Sequence, residues 1–191
     1  TPAGAVEKLG YALSYATGIL VVDKLALTGA SIAGVSTTYG TPAATGAVSF
    51  TNIVGSDVVT STASLVSPTY STSNNLNAGS YAQNASGLSG ADANNYSFVG
   101  GYTTATNNYT VDKLALTGAA IAASSSTYGS SLNPGAISFG NVISGDIVTS
   151  TASVNTSTLS SSGNPVVGSY TQTAGALVGT DAANYSFGGY T

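Results

Sequence analysis

The sequence predicts an all-β fold made of two tandem units of one kind. Three observations carry this. Asp23-Lys24-Leu25-Ala26-Leu27-Thr28-Gly29-Ala30 recurs as Asp112-Lys113-Leu114-Ala115-Leu116-Thr117-Gly118-Ala119, an offset of 89, and residues 23–102 align with 112–191 without a gap, 44 of 80 positions being identical. The apolar and β-branched residues run with a period near two, and no segment shows a convincing helical period. Finally, 55 of the 191 residues are Ser or Thr, 24 are Gly and only 5% are charged, against about 25% in an average soluble protein.

Each element follows from local pattern. Val21, Asp23, Leu25 and Leu27 alternate with Val22, Lys24, Ala26 and Thr28, which predicts an opening strand. Ala47–Phe50, Asp57–Leu65, Gly79–Gln83 and Asn95–Phe98 are further short strand-like runs. Thr41-Pro42, Ser67-Pro68, Asn74-Asn75, Asn133-Pro134 and Gly163-Asn164-Pro165 supply turn chemistry between them. Ala119–Ala123 reads as one turn of helix, ended by Ser124–Ser126.

The domain reading is residues 1–22 as the closing strand of a preceding repeat, 23–111 as the first repeat domain, and 112–191 as the second, lacking its final strand. A period of 89 residues is too long for a solenoid coil, whose repeats run ~20 to 45. The junction Asn107–Leu114 holds neither Pro nor Gly, so a stiff connection and a rod are expected. The paired apolar positions predict the core: Leu25, Leu27, Ile32, Phe50, Val59, Tyr81, Leu88, Tyr96 and Phe98 in the first repeat, with Phe50 and Phe98 largely buried. Tyr39, Tyr81, Tyr96 and Tyr102 recur as Tyr128, Tyr170, Tyr185 and, displaced by one, Tyr190, which favours packing over ligand binding for these rings.

Composition excludes most chemistry. With no Cys and no His, thiol nucleophiles, disulfides, imidazole or thiolate metal sites and every Ser-His relay are absent. Three Lys, no Arg and a net charge of -4 leave no basic surface for nucleic acid. No stretch reaches the ~18 to 20 apolar residues of a membrane span. Thr1-Pro2-Ala3-Gly4 opens no signal peptide, so the chain reads as an excised or processed segment. The acids are duplicated with the repeats, whereas an active site is usually single, and no enzyme is expected.

The remaining candidates are few. Asp57, Asp146, Asp92 and Asp181 sit in polar turns, where a carboxylate either accepts backbone N–H bonds or joins a Ca²⁺ site. Their wide spacing favours the turn role, and no metal or other cofactor is assigned. Tyr70, replaced by Leu159 in the second repeat, is a candidate for an exposed or local role. Tyr11, Leu13, Tyr15, Ile19 and Val21 mark a spare closing-type strand over residues 11–22. Two fates are open to it: adding to the second repeat of another chain, head to tail, or folding back on the first repeat.

The order Thr38-Tyr39-Gly40, Gly79-Ser80-Tyr81, then Gly90-Ala91-Asp92-Ala93-Asn94-Asn95-Tyr96 resembles the MBG and YDG repeat domains of large bacterial exoproteins of the filamentous-haemagglutinin type. The family's mid-domain Gly-Asp is Gly145-Asp146 in the second repeat but Ser56-Asp57 in the first, and Tyr39-Gly40-Thr41 lacks the acid that often follows. The resemblance implies small β-grasp-like or β-sandwich-like modules forming an adhesin stalk outside the cell or on the bacterial surface. It implies neighbouring repeats of the same protein as partners and no catalytic residue. Two alternatives stand beside the stalk: a carbohydrate-binding module in which Tyr and Asn hold host or biofilm glycans, and a subunit of a self-assembling extracellular filament.

Overall fold

A computed structural model describes residues 16–191, so Tyr11, Leu13 and Tyr15 lie outside the described residues. The chain is all-β. The first repeat contains β1 (Leu25–Ala26), β2 (Ser31–Ile32), β3 (Val35–Thr38), β4 (Val48–Ser49), β5 (Ala63–Leu65), β6 (Gly79–Tyr81), β7 (Gln83–Ala85), β8 (Tyr96–Ser97) and β9 (Tyr102–Thr103). β10 (Tyr109–Asp112) leads, with one intervening residue, into β11 (Leu114–Ala115) of the second repeat. There follow β12 (Ala120–Ile121), β13 (Ile137–Ser138), β14 (Thr149–Val154), β15 (Gln172–Val178) and β16 (Tyr185–Ser186). Short 3₁₀ turns at Ala93–Asn95 and Ala182–Asn184 precede β8 and β16.

The strands form several small sheets, and their pairings repeat at the sequence offset. β1 runs parallel to β8 with Leu25 opposite Tyr96, and β11 parallel to β16 with Leu114 opposite Tyr185. Ile32 faces Val48 across β2 and β4, as Ile121 faces Ile137 across β12 and β13. Ala63 faces Ala85 across β5 and β7, as Ala152 faces Ala174 across β14 and β15. β9 adds to β7 in the first repeat.

One sheet has no counterpart among the described residues. β10 lies between β3 and β6, parallel to the first and antiparallel to the second. The corresponding residues of the second repeat, 124–127 and 168–170, form no strand among the described residues.

Gln83 ties this sheet to the rest. Its side chain is fully buried, its carbonyl accepts the Gly46 amide at 2.7 Å, and its amide donates to Ala33 O at 3.0 Å and Asn108 Oδ1 at 2.9 Å. A buried primary amide is tolerable because each of its groups is paired.

The core divides into two clusters. Ile32, Ala63 and Ala85 gather Val48, Phe98 and Tyr102. Tyr39, Tyr81, Tyr109, Val111 and Tyr185 form the other, with Leu65, Leu76, Leu114, Ile143 and Leu177 against them, so it spans both repeats.

Of the expected core, Ile32, Val59, Tyr81 and Tyr96 are buried, and Leu27 and Leu88 are half-buried. Phe50 and Phe98 are also half-buried; they meet edge to face at 5.0 Å, as Phe139 and Phe187 do at 5.1 Å. Leu25 is 42% exposed, whereas its equivalent Leu114, on a strand that likewise has one neighbour, is covered by the cluster shared by the repeats. The expected helical turn at 119–123 is instead β12, since pairing of Ala120 and Ile121 with β13 outweighs the helix propensity of Ala. Residues 16–24 are exposed and outside any strand, so neither the opening strand before Leu25 nor a fold-back of 16–22 is present.

Candidate functional site

The feature that distinguishes this chain is the interface between its repeats. It is built from the first repeat's Tyr39 and the tight turn at 71–75, and from the second repeat's two acids and its 3₁₀ turn. Tyr39 follows β3 and is 1% exposed. The turn is closed by the Ser71 amide donating to Asn75 O and the Asn74 amide donating to Ser71 O, and Tyr70 pairs across it with Leu76.

Asp146 is the centre of the first contact. Its Oδ2 lies 2.6 Å from the Tyr39 hydroxyl and 2.5 Å from the Tyr185 hydroxyl, and both protons go to the carboxylate. The Tyr39 oxygen also sits 2.7 Å from Ser71 Oγ. The rings of Tyr39 and Tyr185 cross edge to face at 5.3 Å, an arrangement favoured by their quadrupoles. Burial pushes the Asp146 carboxyl up, but the hydroxyls of Ser73, Tyr185, Tyr39 and Ser71 outweigh it and hold its pKa below the ordinary value. Burial, then the bond to Asp146, raises both tyrosines.

Asp181 makes the second contact. Its carboxylate accepts the Ile147 amide at 2.8 Å within its own repeat, and the Thr72 amide at 3.0 Å and the Thr72 hydroxyl across the interface. Burial opposes its ionisation, but the Ile147 amide and the Thr72 hydroxyl and amide more than compensate, so its pKa is lowered. Asn184 completes the row, accepting from the Ala78 amide at 2.8 Å and donating to Asn77 Oδ1 at 3.0 Å.

Glycine allows the close approach. Gly40 has φ +82°, and a Cβ there would stand 2.3 Å from the Ile143 side chain of the second repeat. Gly145, at φ +96°, lies against Ser73, and its carbonyl oxygen is 2.7 Å from the Thr72 hydroxyl oxygen. The first repeat has Ser56 at that position.

Among the described residues none of the four acids caps its own turn: Asp57 and Asp146 accept tyrosine hydroxyls, Asp92 and Asp181 accept an amide 34 residues away, and only the second repeat's pair meets a neighbour. Asp57 Oδ2 accepts the Tyr96 hydroxyl at 2.6 Å, and Asp92 Oδ2 accepts the Val58 amide at 2.7 Å, both within the first repeat. The bond to Asp57, then burial, raises the Tyr96 pKa. No group of three His, Cys, Asp or Glu able to hold a metal occurs among the described residues. Tyr70 is 58% exposed and lines a groove of about 270 Å³ with Thr37, Pro42 and Tyr109. Ile19 and Val21 are exposed. Among the described residues no helix is long and apolar enough to cross a membrane.

Pattern reading missed Tyr39, Thr72 and Asn184 as interface residues. The available signal was the set of positions where the repeats differ: Gly145 against Ser56, Thr72 against Ser161 and Asn77 against Val166.

Compared with protein-family models, with curated proteins and with solved structures, the chain matches none.

Proposed function

We propose that this chain is a structural segment of a secreted or surface-anchored bacterial adhesin or fibre, its repeats acting as a stalk. The observation that supports this reading is the cluster of Tyr39, Tyr81, Tyr109, Val111 and Tyr185, which runs through both repeats. A flexible string of binding modules needs no such continuity. A spacer that holds a tip away from a surface does, because any hinge between units lets the tip collapse. β10 reinforces the same property: it completes a sheet of the first repeat and passes into the second after Lys113 alone. An uncharged Ser/Thr surface suits this role outside the cell, since its hydration depends little on ionic strength. The resemblance to MBG and YDG repeats points to the same class.

Two measurements test it. Thermal unfolding of the purified chain should give one transition for both repeats; two well-separated transitions would remove the stiff-stalk argument. Immunogold labelling of the bacterium that makes the protein should mark the cell exterior, and cytoplasmic label would refute the assignment.

A further inference from the structure

The turn at 71–75 has two sides. One meets the second repeat, through Thr72 on Asp181 and Ser73 against Gly145. The other, flanked by the exposed Tyr70 and Asn74, opens onto solvent. We propose that this outer side, with the loop at 41–43, is a binding site for one neutral hexopyranose ring. The site does not rest on the stalk reading.

It is the groove of about 270 Å³ lined by Thr38, Thr41, Pro42, Tyr70, Asn74 and Tyr109, among others. Pockets for drug-sized ligands run from ~300 to ~1,000 Å³, so this one suits a single sugar ring. Its floor is apolar, since Leu76 and the buried Val111 belong to it. Among the described residues its lining includes no charged side chain. A carboxylated or sulfated sugar would lose hydration there without gaining a counter-charge.

Tyr70, 58% exposed, supplies the stacking face. The face of a tyrosine ring is negative, and the C–H groups of a pyranose are slightly positive, so one side of the sugar packs on the ring while its hydroxyls point outward. Asn74 supplies the polar contact, because an amide offers two donors and an acceptor to adjacent hydroxyls. Asn75 donates to Ser73 Oγ at 2.8 Å, whereas the exposed Asn74 side chain makes no such bond among the described residues.

The second repeat is an internal control. Both turns close alike: the Ser71 amide donates to Asn75 O at 2.9 Å and the Asn74 amide to Ser71 O at 3.0 Å, as Ser160 does to Asn164 O at 2.8 Å and Gly163 to Ser160 O at 2.9 Å. The residue before the last is left-handed in each, with φ +60° at Asn74 and +78° at Gly163. Glycine holds that conformation without strain, and Asn is tolerated at some cost. Leu159 pairs with Pro165 as Tyr70 does with Leu76, so the turn itself does not require an aromatic residue. The first repeat thus carries an aromatic face and an amide at two positions where the turn needs neither, and both line one groove.

The interface pre-forms the site. The Thr72 amide is held by Asp181 at 3.0 Å, and Tyr39, next to Gly40 of the groove wall, is held by Asp146 at 2.6 Å. Both walls are fixed before a ligand arrives, which lowers the ordering cost of binding.

Saturation-transfer NMR on the full chain tests this, with the methyl glycosides of glucose, galactose, mannose and N-acetylglucosamine as probes at up to ~10 mM, a range that covers millimolar affinity. The expected result is transfer to the C–H protons of at least one of them. Tyr70→Leu should weaken that binding roughly tenfold, and Asn74→Gly about three- to tenfold. Each variant takes the residue that the second repeat has at the equivalent position, so both should fold, and Asn74→Gly should melt no lower than the parent. N-acetylneuraminic acid should show no transfer. Oligoproline, the other occupant that an aromatic-lined groove takes, should not compete with the glycoside. Absence of transfer to all of these glycosides, undiminished binding by Tyr70→Leu, or displacement of the glycoside by oligoproline would overturn the proposal.

Discussion

The Tyr39 hydroxyl lies 2.6 Å from a carboxylate oxygen of Asp146, 107 residues away in sequence and in the other repeat. This bond turns two copies of one unit into an asymmetric pair. In the first repeat the tyrosine is covered and its hydroxyl is fully used; in the second, Tyr128 is 53% exposed. Nothing local distinguishes the two tyrosines, since each stands in Thr-Tyr-Gly. The difference is made by the second repeat, whose Asp146 and Tyr185 reach Tyr39.

Tyr39→Phe should therefore cost about 1 to 3 kcal/mol, the range for losing a bond to a charged group while its buried partner remains. Tyr128→Phe should leave the unfolding midpoint unchanged. Urea denaturation of the two variants is the comparison. Equal losses would mean that the interface bond adds nothing to stability.

Gln83 gives a second matched pair. Gln83→Leu strands the Gly46 amide, the Ala33 carbonyl and the Asn108 side chain in a buried site, for an expected loss of about 2 to 4 kcal/mol. Its equivalent Gln172 bonds the Gly135 amide at 2.6 Å and Ala122 O at 3.2 Å, two bonds among the described residues against three for Gln83. Gln172→Leu should cost about 1 kcal/mol. Denaturant unfolding of each variant decides, and a larger loss at Gln172 would contradict the pairing described.

The repeat made much of this fold legible. An offset of 89 with no gap requires Leu25 and Leu114 to pair alike, and they do. What stayed hidden is the sheet of β3, β10 and β6. Gly79–Gln83 was legible as a strand, but Val35-Ser36-Thr37-Thr38 is too polar to declare itself as one, and the order of the sheet comes from β10, which pairs with both. The acids were legible as acceptors in polar loops, but not their partners, since Asp92 and Asp181 accept the loop amides of Val58 and Ile147, 34 residues away. The further use of Asp146 and Asp181 as interface groups was not, because a carboxylate looks the same whether or not a neighbouring unit reaches it.

Phe50 and Phe98 show how a hydrophobic pattern overstates burial. Each is half-buried and relies on the other ring for cover. Phe50→Ala should thus cost about 1 to 3 kcal/mol, below the ~3 to 5 of a fully enclosed Phe. Phe139→Ala should behave the same way in the second repeat, since its ring meets Phe187 in the same geometry. Denaturation curves for both would check it; a loss under about 0.5 kcal/mol would mean that the ring pair contributes no more than a surface residue.

Stability should fall at both ends of the pH scale, for opposite reasons. Asp146 and Asp181 have pKa values lowered from 3.8 in the folded chain. Below about pH 4 the unfolded chain therefore binds more protons than the folded one, and stability rises with pH there. Their contribution is present above 3.8 and is lost as pH falls through the lower folded values. Tyr39 and Tyr185 are raised above 10.0, so their contribution is present below that value and is lost as pH rises through the folded values. Between these limits the urea midpoint should be flat. Asp181→Asn keeps the shape of the side chain but removes one titrating carboxyl and one acceptor oxygen for Ile147 and Thr72. The variant should be less stable at pH 7, and its midpoint should decline less between pH 5 and pH 2 than that of the parent chain. Parallel acid limbs for the two proteins would show that Asp181 is not among the groups that set the acid sensitivity.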